Sequence, residues 1–109
     1  MYLIVDPDGI TALCLSKELE KTGMRGFTAK TTEEAQSILN RFPISALITE
    51  TMCAGIDGVI LAAHVVAKCG KTAAFTIGKP MPSDMGRFER FFRKPFADIS
   101  EIVNYIRQA

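Results

Sequence analysis

Short apolar runs alternate with longer segments of helical periodicity along the chain, and this alternation limits the fold more than any other sequence feature. The first run, YLIV at 2–5, is β-branched and aromatic and is ended by Asp-Pro-Asp-Gly, which is typical of a buried strand. Segments such as 31–42 place apolar residues three and four positions apart, which predicts helices with one buried face. Because strands that alternate with helices are parallel and joined by right-handed crossovers, the pattern predicts an α/β protein.

The alternation predicts one five-stranded parallel sheet in a three-layer α/β/α arrangement. Its strands are continuously apolar rather than alternating, as expected when helices cover both faces. Pro80 and Pro82 exclude a continuous helix before the fifth strand, so the fourth helix is predicted to be short or irregular, near 83–90. The predicted strands are 2–5, 26–29, 45–49, 72–77 and 90–94, and the other predicted helices occupy about 8–22, 31–42, 59–69 and 98–108.

Helix ends are marked by residues that satisfy free backbone groups. Asp8 is predicted to cap the first helix. Thr31 with Glu34, and Asp98 with Glu101, have the spacing of capping boxes. The buried stripe of the third helix is predicted to be Val59, Ala62, Ala63 and Val66.

Composition limits the class of protein. The chain has 109 residues, which fits a single domain covering 1–109. Thirteen basic and twelve acidic residues give a net charge of +1, so direct nucleic-acid binding by the domain as a whole is not expected. Three cysteines without paired spacing suit free thiols in a reducing cytoplasm. The longest apolar stretch is too short to span a membrane, and we expect a cytoplasmic protein.

Polar residues follow the apolar runs. Asp6 comes after the first predicted strand and Glu50 after the third, Thr76 lies near the end of the fourth, and Lys94 ends the fifth. Sites in open parallel sheets form beyond the carboxyl ends of the strands. The sequence therefore predicts a small polar pocket in which Lys94 neutralises carboxylates.

These residues and their surroundings resemble the receiver domains of bacterial response regulators. The matching stretches are VDPD after the first strand, ETMCAGIDG after the third, FTIG after the fourth and RKPF after the fifth, and the likeness covers nearly the whole chain. The resemblance implies a flavodoxin-like (CheY-like) fold with strand order 2-1-3-4-5. It also implies a role in two-component phosphorelay signalling, without enzymatic activity of the domain itself.

Two departures from the family affect its chemistry. Glu50 stands where the family has its phosphoacceptor aspartate, and Pro7 stands where it has a second metal-binding acid. Mg²⁺ needs near-ideal octahedral geometry at about 2.0–2.1 Å. Pro7 removes one ligand, and the extra methylene of Glu50 moves its carboxylate by about 1.3 Å. We expect Mg²⁺ binding to be weak or lost, no other cofactor, and a degenerate receiver in which Asp6, Glu50 and the Met52 backbone are a vestigial ligand set.

Lys94 offers Glu50 another partner. Asp6, Glu50 and Lys94 together carry a charge of −1, and the longer side chain of Glu50 reaches further toward the lysine. The hypothesis is an ion pair between Glu50 and Lys94 that locks one conformation permanently. The alternative is a partly solvated pair that contributes little.

A second group of residues matches the family's output face. Thr76 and Phe91 correspond to the switch pair of receivers, and Arg87, Arg90 and Arg93 are spaced three apart among phenylalanines. Such a run is either a solvated face over packed aromatic rings or a surface for partner docking, where arginine and aromatic residues concentrate. The resemblance favours a protein partner or a homodimer through the helix 4–strand 5–helix 5 face.

Three functions remain open at this stage. The first is a phosphorylation-independent module for protein interaction or dimerisation, and the second is a phosphoacceptor that is still modified at the end of the third strand. The third is a small-ligand module of the flavodoxin type. The loop DPDG disfavours this small-ligand function, because it has two acids and a proline where phosphate-binding sites have free backbone N–H groups. The resemblance also implies an attached effector domain as a partner, in which case the chain is a domain excised from a longer response regulator; the alternative is a stand-alone protein.

Overall fold

A computed structural model describes residues 1–50, 52–53, 56–69, 73–78, 88, 90–94, 96 and 98–108, with the backbone alone at 52–53, 66, 68–69, 73–76 and 78. Within these ranges, none of the helices has both the length and the apolar composition needed to cross a membrane. The predicted short helix near 83–90 falls mostly outside the described residues.

Strands and helices alternate along the described chain, as the sequence predicts. The strands are β1 (Tyr2–Val5), β2 (Gly26–Ala29), β3 (Ala46–Glu50), β4 (Met52–Cys53), β5 (Ile56–Asp57), β6 (Ala73–Gly78) and β7 (Arg90–Arg93). The helices are α1 (Gly9–Lys21), α2 (Thr32–Arg41), α3 (Gly58–Cys69) and α4 (Ile99–Gln108).

The main sheet contains parallel strands in the order β2-β1-β3-β6-β7. Its register aligns Val5 of β1 with Thr49 of β3, and Thr49 with Thr76 of β6. Thr76 is in turn aligned with Phe91 of β7. The carboxyl ends of all these strands therefore lie along one edge, and the residues that follow them can form a common site.

Alternate residues of each strand point to opposite faces, so the sheet has a core on both sides. On one side Tyr2 and Ile4 of β1 pack with α1 and α4, and on the other side Leu3 and Val5 pack with α2 and α3. Both faces are fully buried along β1, where no residue is more than 1% exposed. The predicted parallel sheet covered by helices is confirmed.

Side chains of the residues before the helices set where the helices begin. The carboxylate of Asp8 accepts the N–H of Ile10 at 3.1 Å, which confirms the predicted cap of α1. The Thr31 hydroxyl accepts the N–H of Glu34 at 3.2 Å, but the Glu34 carboxylate accepts the N–H of Lys30. The second half of the predicted capping box is therefore displaced by one residue.

The structure differs from the sequence prediction in the region after β3. The antiparallel pair β4–β5 lies in a stretch that was predicted as loop. The buried face of α3 contains Leu61, Ala62 and Val65, whereas Val59 is 50% exposed, so the predicted stripe is confirmed at Ala62 and wrong at Val59. Apolar residues occupy both faces of this helix, and their spacing alone does not identify the buried one.

Candidate functional site

Two acidic residues meet at the carboxyl edge of the sheet. Because Val5 is aligned with Thr49, the next residues on these neighbouring strands are Asp6 and Glu50. Thr49 is fully buried, and its hydroxyl donates to the Glu50 carbonyl at 2.8 Å. Thr49 is thus held inside the strand, and Glu50 is the residue that presents a side chain at the edge.

Lys94 bridges the two acids. Its Nζ lies 2.5 Å from Oδ2 of Asp6 and 2.6 Å from Oε1 of Glu50. The contact to Glu50 is a well-aligned hydrogen bond, whereas Oδ2 of Asp6 accepts no aligned hydrogen bond within the described residues and contacts Lys94 as an ion pair. We call these three residues the carboxylate cluster.

The carboxylate cluster is largely shielded from water. The side chain of Asp6 is 0% exposed, and those of Glu50 and Lys94 are 17% and 14% exposed. Burial alone would lower the pKa of Lys94, but the contacts and charges of Asp6 and Glu50 outweigh it and raise that pKa above its ordinary value. The ammonium form is therefore strongly preferred in the folded protein.

Asp8, the other acid of the loop after β1, forms hydrogen bonds with the first turn of α1. Asp8 Oδ2 accepts the Thr11 hydroxyl at 2.7 Å, while its Oδ1 accepts the Ile10 N–H. These hydrogen bonds, that from Thr11 first, lower the pKa of Asp8. Its own N–H donates to Oδ1 of Asp6 at 2.8 Å, which fixes the Asp6 carboxylate toward Lys94.

The residues do not fit a divalent metal ion. Among the described residues, no three acidic, histidine or cysteine side chains come together as metal ligands. Asp6 and Glu50 supply two carboxylates, and an oxygen of each already contacts the Lys94 ammonium. An octahedral ion at about 2.0–2.1 Å from these oxygens would have to displace the lysine first.

The remaining predicted pocket residues are placed only by backbone. Thr76 lies in β6, next to Thr49 on one side and Phe91 on the other, and its side chain is outside the described part. Met52 begins β4, where its register partner is Asp57. The Asp57 carboxylate accepts the N–H groups of Val59 and Ile60, so the Asp-Gly of the loop caps α3.

The predicted output face contains a cluster that links β7 to α4. Arg90 Nη1 donates to the Tyr105 hydroxyl at 2.8 Å, and its Cζ lies 4.1 Å from the centroid of that ring. Arg90 Nη2 also lies 3.4 Å from Glu101 Oε1. Arg90, Glu101 and Tyr105 are called the arginine surface below. Of the other predicted residues, Arg87 lies outside the described residues.

Phenylalanines of β7 have different environments. Phe92 is 7% exposed and packs in the core beside α4, whereas Phe91 is only half-buried. The exposed Arg93 places its Cζ 5.9 Å from the Phe91 ring. Arg90, Phe91 and Arg93 of β7 line one groove together with residues of α4.

A cleft of about 480 Å³ opens beside the carboxylate cluster. Its walls are mainly apolar and come from α1 and the start of α4, with Ile10 and Cys14 facing Phe96 and Ile99. Ile10 is 75% exposed, which leaves a large apolar side chain at the rim.

Sequence reasoning missed two partners of Arg90. Glu101 and Tyr105 lie 11 and 15 residues from Arg90 in sequence, so no local pattern connects them to it. Their spacing of four residues, which places both on one face of α4, was the only available signal. Glu101 was predicted to complete a capping box, but its carboxylate contacts Arg90, and Asp98 alone accepts the N–H of Ser100.

Comparison with known proteins gives a fold but no sequence family. No protein-family model matches the chain, and no curated protein does so either. Solved structures that share its fold include response regulators and their receiver domains. The fold thus belongs to the class of receiver domains.

Three of these structures illustrate the likeness. A response regulator receiver protein from Pseudomonas putida has a TM-score of 0.82 at 19% identity, over 99% of this chain and 95% of that one. A putative response regulator from Chloroflexus aurantiacus J-10-fl has a TM-score of 0.78 at 25% identity, over 98% and 93%. A response regulator from Burkholderia pseudomallei, with a phosphorylated aspartic acid, calcium ion and citrate, has a TM-score of 0.82 at 15% identity over 96% of this chain. The chain spans 65% of that protein.

Proposed function

We propose that the chain is a receiver-like domain of two-component signalling that works without phosphorylation, as a cytoplasmic module for protein interaction or dimerisation. The observation that carries this proposal is the position of Lys94, whose ammonium contacts both Asp6 and Glu50 in a largely buried cluster. The receiver fold supports the signalling role. The strand order β2-β1-β3-β6-β7 supports the flavodoxin-like order 2-1-3-4-5, with β6 and β7 as the fourth and fifth strands.

The carboxylate cluster is poorly arranged for phosphoryl transfer. An acyl phosphate would require a carboxylate oxygen of Glu50 to attack in line, with the charge of the phosphoryl group neutralised by a metal ion. In this chain Glu50 Oε1 is held by Lys94, and the carboxylate oxygen of Asp6 that would face a metal ion contacts the same ammonium. A misplacement of about 1 Å costs on the order of a hundredfold in rate for a reaction that depends on positioning.

The same contacts favour a single conformation of the cluster. Lys94 follows β7, Glu50 ends β3 and Asp6 follows β1, so the ion pairs connect three strands at one edge. Removing the lysine would leave two shielded carboxylates without a counter-charge. We infer that the cluster holds this edge permanently in one conformation, whereas other receivers switch between two conformations by phosphorylation.

The surface for a partner is inferred to be the β7–α4 face. It combines the half-buried Phe91 and the exposed Arg93 with Arg90 and Glu101 of the arginine surface around a groove of about 290 Å³. Arginine and aromatic residues are enriched at the centres of protein interfaces. This supports binding of a protein partner or a second copy, which static light scattering of the wild type and Arg93→Glu would test.

Phosphorylation is tested by intact mass. The chain is incubated with acetyl phosphate and Mg²⁺, beside a Glu50→Asp variant that restores the family's acceptor residue. We expect no mass gain for the wild type. A gain of one phosphoryl group in the wild type that is absent from Glu50→Gln would refute phosphorylation independence and support the alternative of a working phosphoacceptor.

A small-ligand module has less support. The cleft beside Lys94 could hold an apolar molecule, but the N–H groups at the start of α1 face the Asp8 carboxylate. A phosphate group would meet this negative charge instead of free N–H donors. Phosphate-bearing cofactors are therefore disfavoured at this position.

A further inference from the structure

We propose that the Lys94 ammonium is the resident cation of the carboxylate cluster and excludes a divalent ion from Asp6 and Glu50. The proposal rests on the proposed function, because a receiver that uses phosphorylation needs a metal ion at this edge. It goes beyond that function because it assigns the position of the metal ion to the side chain of Lys94.

The ammonium and a divalent ion would compete for the same oxygens. Lys94 Nζ lies 2.5 Å from Asp6 Oδ2 and 2.6 Å from Glu50 Oε1. A magnesium ion would need these oxygens at about 2.0–2.1 Å. Two cations this close to each other would also repel strongly, because the cluster is largely shielded from water. Only one of them can occupy the position between the carboxylates.

The lysine has an advantage because it is attached to the chain. Lys94 follows β7 directly, and the neighbouring Phe92 is buried in the core and fixes that strand. A tethered group acts at an effective concentration in the millimolar range or above. A free ion must also lose part of its hydration shell before it can bind these two carboxylates. Both effects favour the ammonium.

Charge explains why a cation is required. Asp6 and Glu50 place two negative charges side by side, and the Asp6 carboxylate is fully buried. Without Lys94 these charges would repel each other in a poorly solvated position. A variant that lacks the ammonium should therefore take up a divalent cation, even though the wild type does not.

The test compares wild type with Lys94→Met in two measurements. Thermal unfolding is followed in a chelator and in millimolar Mn²⁺, and Mn²⁺ affinity is measured by titration calorimetry. We expect Mn²⁺ to bind Lys94→Met at least about tenfold more tightly than wild type. The variant lacks the positive charge of the Lys94 ammonium, which repels the ion in the wild type. The midpoint of Lys94→Met should rise with Mn²⁺, and that of the wild type should not. Replacing Glu50 as well, in Lys94→Met/Glu50→Gln, should abolish the gain.

Lys30→Met is the matched control. The Lys30 side chain passes beside Gly9, where its Cε would lie 3.7 Å from an added Cβ, so it is a lysine near this edge that does not bridge the acids. Its removal lowers the local positive charge by the same amount. A gain in Mn²⁺ affinity for Lys30→Met equal to that for Lys94→Met would refute the proposal, since general electrostatics would then explain both.

The wild type alone provides a test if Lys94→Met does not fold. Amide resonances around Asp6 and Glu50 should stay in place when millimolar Mg²⁺ is added, and site-specific shifts that saturate would refute the proposal. Such shifts without a mass gain from acetyl phosphate would refute the resident cation alone. A mass gain without Mg²⁺ binding would instead refute the proposed function.

Discussion

The carboxylate cluster and the arginine surface use similar groups in opposite environments. In the first, Lys94 contacts two carboxylates at 2.5 and 2.6 Å, and its side chain is only 14% exposed. In the second, Arg90 lies 3.4 Å from the Glu101 carboxylate, and these side chains are 42% and 56% exposed. Arg90 gains additional contact from the ring and hydroxyl of Tyr105.

The difference in burial assigns the two clusters different roles. Removing one partner from a buried ion pair leaves an uncompensated charge, whereas exposed pairs are solvated and contribute little. The carboxylate cluster should therefore resist change and fix the strand edge. In the function that we propose, the arginine surface exchanges its solvated internal contacts for those of a partner at low cost.

Lys94→Met should produce the largest effect. We expect the free energy of unfolding to fall by about 3–5 kcal/mol in the absence of divalent ions, because Asp6 and Glu50 lose their counter-charge. Urea denaturation measures the change. The control is Lys21→Met, which breaks the exposed pair with Glu18 and should lower stability by no more than about 0.5 kcal/mol. Equal losses for the two variants would remove the distinction between the clusters.

A matched pair of glutamate substitutions sharpens the comparison. Glu50→Gln keeps the shape of the side chain but replaces a charged hydrogen bond with a neutral one, and we expect a loss of about 1–2 kcal/mol. Glu101→Gln makes the same change at the arginine surface and should stay within about 0.5 kcal/mol. A Glu101→Gln loss that matches or exceeds that of Glu50→Gln would show that burial does not separate the two sites.

Much of the carboxyl edge could be predicted from the sequence. A residue that follows a buried parallel strand must lie at that edge, so Asp6, Glu50 and Lys94 could be grouped before their distances were known. The sequence could not show that Lys94 contacts both acids. That depends on the side-chain geometry at the end of β7 and on the N–H of Asp8, which orients Asp6.

Other features depend on packing that a single sequence does not reveal. Leu61 and Val65 of α3 are buried and Val59 is exposed, although all of them are apolar, because contact with α2 and the sheet selects the buried face. The arginine surface joins Arg90 to residues of α4 that are distant in sequence. In both cases the information lies in tertiary contacts and not in periodicity.

High pH should weaken the carboxylate cluster selectively. The pKa of Lys94 is raised in the folded state, so its contribution to stability is complete below the pKa of the unfolded chain, about 10.4, and is lost as pH rises through the folded pKa. The raised pKa of Tyr2 acts in the same direction. We therefore compare wild type with Lys94→Met, which keeps Tyr2. The unfolding free energies of wild type and Lys94→Met should be compared between about pH 9 and 12. Their difference should shrink at the rate set by the release of one proton per molecule. A constant difference would contradict the assigned cause.

The smallest expected effect is the coupling between Arg90 and Glu101. A double-mutant cycle with Arg90→Met and Glu101→Gln should give about 0.2–1 kcal/mol, because both side chains are partly solvated. Salt at about 1 M reduces the Debye length to about 3 Å and should remove most of this coupling. The contact of Arg90 with the Tyr105 ring is less sensitive to salt, since part of it is packing. Arg90→Met should therefore remain destabilising in high salt while the cycle approaches zero. A coupling that persists in 1 M salt would mean that the arginine surface is as well shielded as the carboxylate cluster, and it would then be a second fixed element and not an adaptable face.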